Sequence, residues 1–261
     1  MTESAHPAPR PYWFGLISIM PALIEQISEY GVFGRALKQG GLDLEVFDPR
    51  RHTVDRHQTV DDRPYGGGPG MVMLTEPLLA AIGEARAAAA GRGVDAPVVY
   101  LTPTGERLDQ DLVKEFAQCP GLILLSGRYE GIDERVLVTA VDRELSVGDY
   151  VLSGGELPAL TLMDAVARLL PGTLGNAASA EEESHLDGLL DYPHYTRPEN
   201  AAGRHVPQVL LSGDHAAINR WRLKQALKET WLKRPDLLAG RELGKEEREL
   251  LRELFAEGLG A

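Results

Sequence analysis

The sequence predicts an α/β domain built on a largely parallel sheet, followed by a smaller helical unit. Three observations predict it. Short apolar, strand-like runs alternate with segments of helical spacing from Tyr12 to about position 175. Glycine-marked turns follow several of the strand-like runs, at the positions where an open α/β sheet usually holds a small molecule. The apolar signal then collapses into Ala, Ser, Asn and Glu between Leu174 and Leu186, and resumes in a purely helical pattern.

Taken in order, Tyr12–Ile19 is an aromatic and aliphatic run that suits a first buried strand. Pro21 follows, and Ala22–Tyr30 has helical spacing closed by Gly31. Val32–Gln39 reads as a second short helix ended by Gly40-Gly41, and Leu42–Phe47 alternates as a strand. A polar loop runs through Asp61-Asp62-Arg63-Pro64 into Tyr65-Gly66-Gly67-Gly68-Pro69-Gly70-Met71. That glycine run suits either close backbone approach or a flexible surface linker. Leu78–Ala90 is an alanine-rich helix, and Pro97–Leu101 is a strand carrying the first glycine turn, Thr102 to Gly105. Leu108–Gln118 is a helix. Leu122–Leu125 is a strand leading into the second turn, Ser126 to Gly131. Ile132–Ala140 is helical, and Arg143–Leu152 is expected as a strand entering the third turn, Ser153-Gly154-Gly155. Leu160–Leu169 is a helix ending before Pro171-Gly172. Beyond the break, Ile218–Lys233 and Leu243–Phe255 are helical. Trp221 and Trp231 are spaced for a helical face and are expected in a core. The expected division is an extension over 1–11, the α/β domain over 12–175, a mobile linker over 176–190 and a helical domain over 191–261.

Composition narrows the function classes. The 261 residues are 43% hydrophobic, ordinary for a globular protein. One cysteine, Cys119, excludes a disulfide framework and a cysteine zinc site, and fits a reducing cytoplasm. No apolar run approaches the ~20 residues of a membrane span. The start, with its three prolines, does not read as a signal peptide. The net charge of -12 argues against whole-protein attraction to nucleic acid. Local patches run the other way: Arg50, Arg51, Arg56 and Arg63 cluster in the polar loop, and Arg197, Arg204, Arg220, Arg222, Lys224, Lys228, Lys233 and Arg234 lie close together in the helical part.

The glycine turns lack the signature of competing nucleotide sites. There is no Gly-x-x-x-x-Gly-Lys-Ser/Thr, and no Gly-x-Gly-x-x-Gly follows the first strand. Three strand ends meeting one ligand suit an adenosine-bearing molecule without a triphosphate. A plain structural use of the same glycines is the alternative that spacing leaves open.

Four long strings carry a resemblance. Tyr65 to Met71, Gly127 to Arg135, Gly148 to Pro158 and Asp191-Tyr192-Pro193-His194-Tyr195-Thr196-Arg197-Pro198 resemble, in order, the bacterial tRNA (guanine-N1)-methyltransferases of the TrmD type. The resemblance runs from about Tyr12 to the C-terminus. It implies the SPOUT class of α/β fold, with a deep trefoil knot that composition and periodicity do not show. It implies transfer of a methyl group from S-adenosylmethionine to N1 of the guanine at tRNA position 37, and a homodimer with shared sites. It also brings Mg²⁺ into the cofactors to be considered, although no metal-ligand spacing marks a site.

Carried over residue by residue, the resemblance implies a cofactor site on Tyr100, Leu101, Thr102, Pro103, Gly105, Gly127, Glu130, Val147, Gly148, Asp149, Tyr150, Val151, Leu152, Gly154 and Gly155. Core packing is the competing role for Val147, Val151 and Leu152, and a salt-bridge cluster at a helix start competes for Arg128, Glu130, Asp133 and Arg135. The general base maps to Glu183, where the family's string has aspartate, and the cation that stabilises charge on the guanine O6 maps to Arg168. A solvated acidic loop is the competing reading of Glu181 to Glu183. For Arg168 it is satisfaction of the last helix carbonyls. Arg56, Asp62, Gly67, Asp191, His194 and Arg197 are the expected substrate contacts. Two further readings stay open here: a SPOUT-type RNA methyltransferase acting on another nucleotide, and a catalytically inactive tRNA-binding module.

Overall fold

A computed structural model describes residues 10–173, 184–185 and 188–259 of the chain. The expected extension therefore lies almost wholly outside the described residues, as does most of the expected linker. The chain divides into two compact units, Met1–Gly175 and Asn176–Ala261.

The first unit holds a five-stranded sheet whose neighbouring strands are all parallel, so the α/β expectation holds. Its strands are β1 (Tyr12–Ile17), β2 (Leu42–Phe47), β5 (Val98–Arg107), β6 (Gly121–Ser126) and β7 (Arg143–Ser146), in the order β2-β1-β6-β5-β7. Every residue of β1 and β6 is buried, which explains why both read as unbroken apolar runs: a parallel strand covered on both faces has no polar side to show. The period of two survives underneath. Tyr12, Phe14 and Leu16 face one core, with Leu122 and Leu124 of β6, while Trp13 and Ile17 face the other, with Ile123 and Leu125. The first core is closed by helices α1 (Pro21–Ile27), α2 (Gly31–Lys38), α4 (Gln110–Gln118) and α6 (Glu156–Leu169), the second by α3 (Thr75–Gly91) and α5 (Glu134–Ala140).

Several boundaries differ from expectation, each for a local reason. Helices α4 and α5 start later than their apolar spacing suggests because Asp109 and Asp133 stand at their N-caps and accept backbone N–H groups of the first turn. Helix α6 starts earlier, at Glu156, directly after Gly155. Pro158 is no obstacle there, since the first-turn N–H groups of a helix have no partner to lose. The strand expected to reach Leu152 stops at Ser146. The Ser146 hydroxyl accepts the Gly148 N–H at 3.2 Å and donates to the Gly148 carbonyl at 3.0 Å, and Gly148 turns the chain at φ 147°. Conversely, β5 does not end at Leu101. It runs through the first glycine turn to Arg107, its pairing with β7 jumping from Leu101 to Glu106.

The polar loop is more organised than its composition suggests. Pro49–His52 is a 3-10 turn, and β3 (Asp61–Asp62) pairs antiparallel with β4 (Val72–Met73), so the glycine run links two strands.

The second unit is mainly helical: α7 (Gln208–Leu211), α8 (His215–Lys233), α9 (Pro235–Ala239) and α10 (Lys245–Ala256), with a small hairpin of β8 (Asn200–Ala201) and β9 (Arg204–His205). Its core is a leucine cluster, Leu189, Leu227, Leu238, Leu250, Leu251 and Leu254 among it. Asp214 caps α8, which begins at His215, three residues before the expected start. Trp231 is not core: it is 38% exposed, and its ring sets edge-on at 4.9 Å to Phe255 of α10, itself 46% exposed.

Candidate functional site

Three segments at the C-terminal ends of β5, β6 and β7 converge on one cleft of about 230 Å³. Tyr100 to Pro103 come from β5, Gly127 to Gly131 from the turn after β6, and Leu145 to Gly155, apart from Asp149, from the end of β7 and the segment after it. This is the end of an open parallel sheet where ligands bind. The lining residues are mainly small or apolar, with Arg128 and Glu130 the charged members.

Missing side chains create the room. A Cβ on Gly155 would lie 2.7 Å from the Ser126 Cα and 3.0 Å from the Gly127 nitrogen, so the turn before α6 packs directly on the turn after β6. The two turns are also bonded, Gly155 N–H to the Gly127 carbonyl at 2.9 Å, with a bridge between Arg128 and Gly154. The Tyr100 ring fills the space beside Gly127, where a Cβ would come within 2.8 Å of its hydroxyl. Burial raises the pKa of that phenol, with hydrogen bonding to Thr102 opposing it.

Behind the cleft lies a buried ion pair. Glu156, 1% exposed, accepts from Arg128 Nε at 2.9 Å through Oε2 and from the Ser18 hydroxyl at 2.8 Å through Oε1. Arg128 also donates to the Ser153 carbonyl at 3.3 Å. Removing one partner of a pair buried this deeply costs about 3–5 kcal/mol, because the other charge is left in the protein interior.

The glycine-rich loop is tied to the same end of the sheet. Glu130 N–H donates to the Met71 carbonyl at 2.9 Å and Met73 N–H to the Gly131 carbonyl at 3.0 Å. Gly66, Gly67, Gly68 and Gly70 all have positive φ, and a Cβ on Gly70 would fall 2.2 Å from Glu130 Oε1. The loop therefore lies against the Glu130 side chain.

Of the residues expected at the cofactor site, Tyr100, Leu101, Thr102, Pro103, Gly127, Glu130, Val147, Gly148, Tyr150, Val151, Leu152, Gly154 and Gly155 line the cleft. Gly105 and Asp149 stand outside the lining. Gly105 has a packing duty instead: a Cβ there would meet the Glu144 and Leu145 backbone at 2.5 Å, which is how β5 rejoins β7. The competing salt-bridge reading is divided. Asp133 and Arg135 form such a pair at 2.7 Å, with the Asp133 carboxyl held well below the usual range by Arg135, whereas Arg128 turns inward to Glu156. Arg168 lies half-buried in the last turn of α6. Glu183, with Glu181 and Glu182, lies outside the described residues. Arg56 and Asp62 are exposed on the polar loop, and Gly67 on the glycine run. Asp191, His194 and Arg197 belong to the second unit, where Asp191 Oδ2 meets His194 Nε2 at 2.8 Å and the Asp191 N–H donates to the Ser184 hydroxyl at 2.8 Å. The Arg222 guanidinium lies 5.0 Å from the Tyr192 ring centroid beside them.

Two roles escape the sequence reading. Ser18 gives no local signal, since its partner Glu156 is 138 positions away. Glu156 reads as a residue leading into the helix, and only its burial shows otherwise.

Comparison with known proteins bears on what this cleft serves. A model of the family described as tRNA (Guanine-1)-methyltransferase TrmD matches residues 12–240. Among similar proteins named tRNA (guanine-N(1)-)-methyltransferase, that of Methylococcus capsulatus is 61% identical over 94% of this chain and 96% of its own. That of Proteus mirabilis is 60% identical over 95% and 98%, and one from Haemophilus influenzae 58% over 94% and 98%.

Proposed function

The chain belongs to the tRNA (guanine-1)-methyltransferase family, the TrmD type, and on that premise we propose how its residues divide the work. The activity is methyl transfer to N1 of a guanine in tRNA. Family membership carries with it the SPOUT fold class and the use of S-adenosylmethionine. The target in this reading is the guanine at position 37, beside the anticodon.

The observation that carries the reading is the convergence of three strand ends on a cleft lined mainly by small and apolar residues. Backbone N–H and C=O groups can read an adenine edge without a charged partner, and the contacts at Gly127 and Gly155 bring those groups close together. Bound there, S-adenosylmethionine supplies an electrophilic methyl group on a sulfonium. The chain must then make the guanine nucleophilic. Glu183 takes the N1 proton as the N1–CH₃ bond forms, an effect of about 10²- to 10⁴-fold for a placed base. Arg168 stabilises the negative charge that develops on O6. The target base has to leave its stack, at a cost of a few kcal/mol that is least in a loop such as the anticodon loop. Asp191, His194 and Arg197, with Arg56, Asp62 and Gly67, contact the RNA. The helical unit contributes basic side chains to the phosphates.

A cytoplasmic homodimer and a trefoil knot belong to the same proposal. Exposed Tyr150, Val151, Leu152 and Leu157 support a second copy covering that face. Support for the knot is the return of the chain from β7 to the turn after β6 before α6 begins. Among the described residues no helix is long and apolar enough to cross a membrane. Mg²⁺ dependence is likewise proposed; among the described residues no group of three His, Cys, Asp or Glu could hold a metal.

The test is methylation of two tRNA transcripts, guanine or adenine at position 37, with radiolabelled S-adenosylmethionine, with and without chelator. Label should enter only the guanine-37 transcript, as 1-methylguanosine. Label on another nucleotide would favour the wider SPOUT reading, and tRNA binding without label the inactive module.

A further inference from the structure

Glu156 is given no role by the reading above, and its surroundings are those of a part with a task. An acidic residue in the first turn of a helix is ordinarily explained by the helix dipole, and for that it can stand in solvent. Glu156 is instead 1% exposed, and both its oxygens are used by side chains from distant parts of the chain. Ser18, just past the end of β1, donates to Oε1, and the same Ser18 hydroxyl accepts the Met20 N–H at 3.0 Å. Arg128, in the turn after β6, donates to Oε2 and reaches across to the Ser153 carbonyl. One carboxylate thus joins the end of β1 to two of the three segments that line the cleft. The backbone repeats the join between those two, through the Arg128–Gly154 bridge and the Gly155-to-Gly127 bond.

We propose that Glu156 is a positioning residue for the cofactor cleft: held by Ser18, it orients Arg128, and Arg128 sets the spacing between the Gly127–Gly131 turn and the Ser153–Gly155 turn. Neither oxygen of Glu156 touches the ligand in this arrangement. The inference rests on the cleft being the S-adenosylmethionine site. Specific placement is a role that buried ion pairs fill in some proteins, where a hydrophobic replacement often serves stability equally well. Arg128 suits the task because its planar fork engages two acceptors at once, which an ammonium on a flexible stem does not.

The experiment uses the full chain as wild type, Glu156→Gln and Arg128→Lys. Calorimetry measures S-adenosylmethionine affinity, and steady-state kinetics separates KM for each substrate from kcat. Glu156→Gln keeps the volume and the Ser18 contact but leaves Arg128 without its counter-charge. It should raise Kd and KM for S-adenosylmethionine by about ten-fold or more, with kcat falling less and KM for tRNA moving little. Arg128→Lys keeps a positive charge beside Glu156 and should move the same constants in the same direction by a smaller factor, so it decides the matter if Glu156→Gln does not fold. A merely structural role would lower the melting temperature and the active fraction, and hence kcat, with both KM values unchanged; that result overturns the proposal. Unchanged cofactor affinity in the folded variants, with normal binding by the wild type, overturns it while leaving the proposed function intact. No binding by the wild type would overturn both.

Discussion

The cleft end of the sheet and the helical unit are assembled from opposite materials. The cleft is made of turns: backbone groups, small residues and close contacts where a single Cβ would collide, with its charged pair turned inward. The helical unit has a leucine core and carries charged pairs at its surface, as in Arg220 with Glu246 at 3.5 Å and Arg234 with Asp236 at 2.7 Å. On the proposed function, the difference teaches how one acidic protein would handle two unlike ligands: a small donor read at short range by groups that cannot change their charge, and a polyanion met by side chains that solvent and salt can reach.

The largest expected effect tests whether the chemistry belongs to neither region. Glu183 lies in sequence after the last cleft segment and before the first helix of the second unit. Glu183→Gln should lower kcat by about 10²- to 10⁴-fold while affinity for S-adenosylmethionine stays within a few-fold. Single-turnover kinetics beside calorimetry measures both, and unchanged turnover would move the base to another carboxylate. Next comes the packing of the cleft. In Gly155→Ala the new methyl meets the Ser126 and Gly127 backbone, which cannot swing aside like a side chain. Overpacking of this kind costs about 1–3 kcal/mol. Cofactor affinity should fall by about ten-fold or more because the turns themselves are displaced. Thermal unfolding and calorimetry on the same sample would show a variant of wild-type affinity if the close contact were irrelevant. The smallest effect sharpens the contrast directly. Raising salt from about 50 to 200 mM should raise KM for tRNA several-fold and leave KM for S-adenosylmethionine nearly flat, since only phosphate contacts release counterions. Equal salt dependence of the two would dissolve the distinction drawn here.

The legible part of the molecule follows the same division. Strands β1, β2 and β6 and the interiors of α3, α4 and α8 can be read from local apolar pattern, because burial at those positions needs one residue type repeated at one period. The three glycine segments can be read as turns of close backbone approach, since such approach demands the absence of a side chain. The stop of β7 is harder. Val147 to Leu152 remains strand-like in composition, and the bend depends on the Ser146 hydroxyl capturing Gly148. Trp231 misleads for a related reason: its spacing fits a helical face, but helix spacing alone does not say which faces find a neighbour.

Composition and local order were sufficient for the α/β class and for the helical character of the last third, and four long strings for the resemblance to the family to which the chain belongs, because each depends on residue type at short spacing. Tertiary structure alone decided that β5 continues through Gly105 to rejoin β7, that the glycine run lies against Glu130, and that Glu156 is buried between Ser18 and Arg128. Each of these joins residues far apart along the chain, where no periodicity carries information. Their energies come from excluded volume and desolvated charge, which exist only once the strands have been brought side by side.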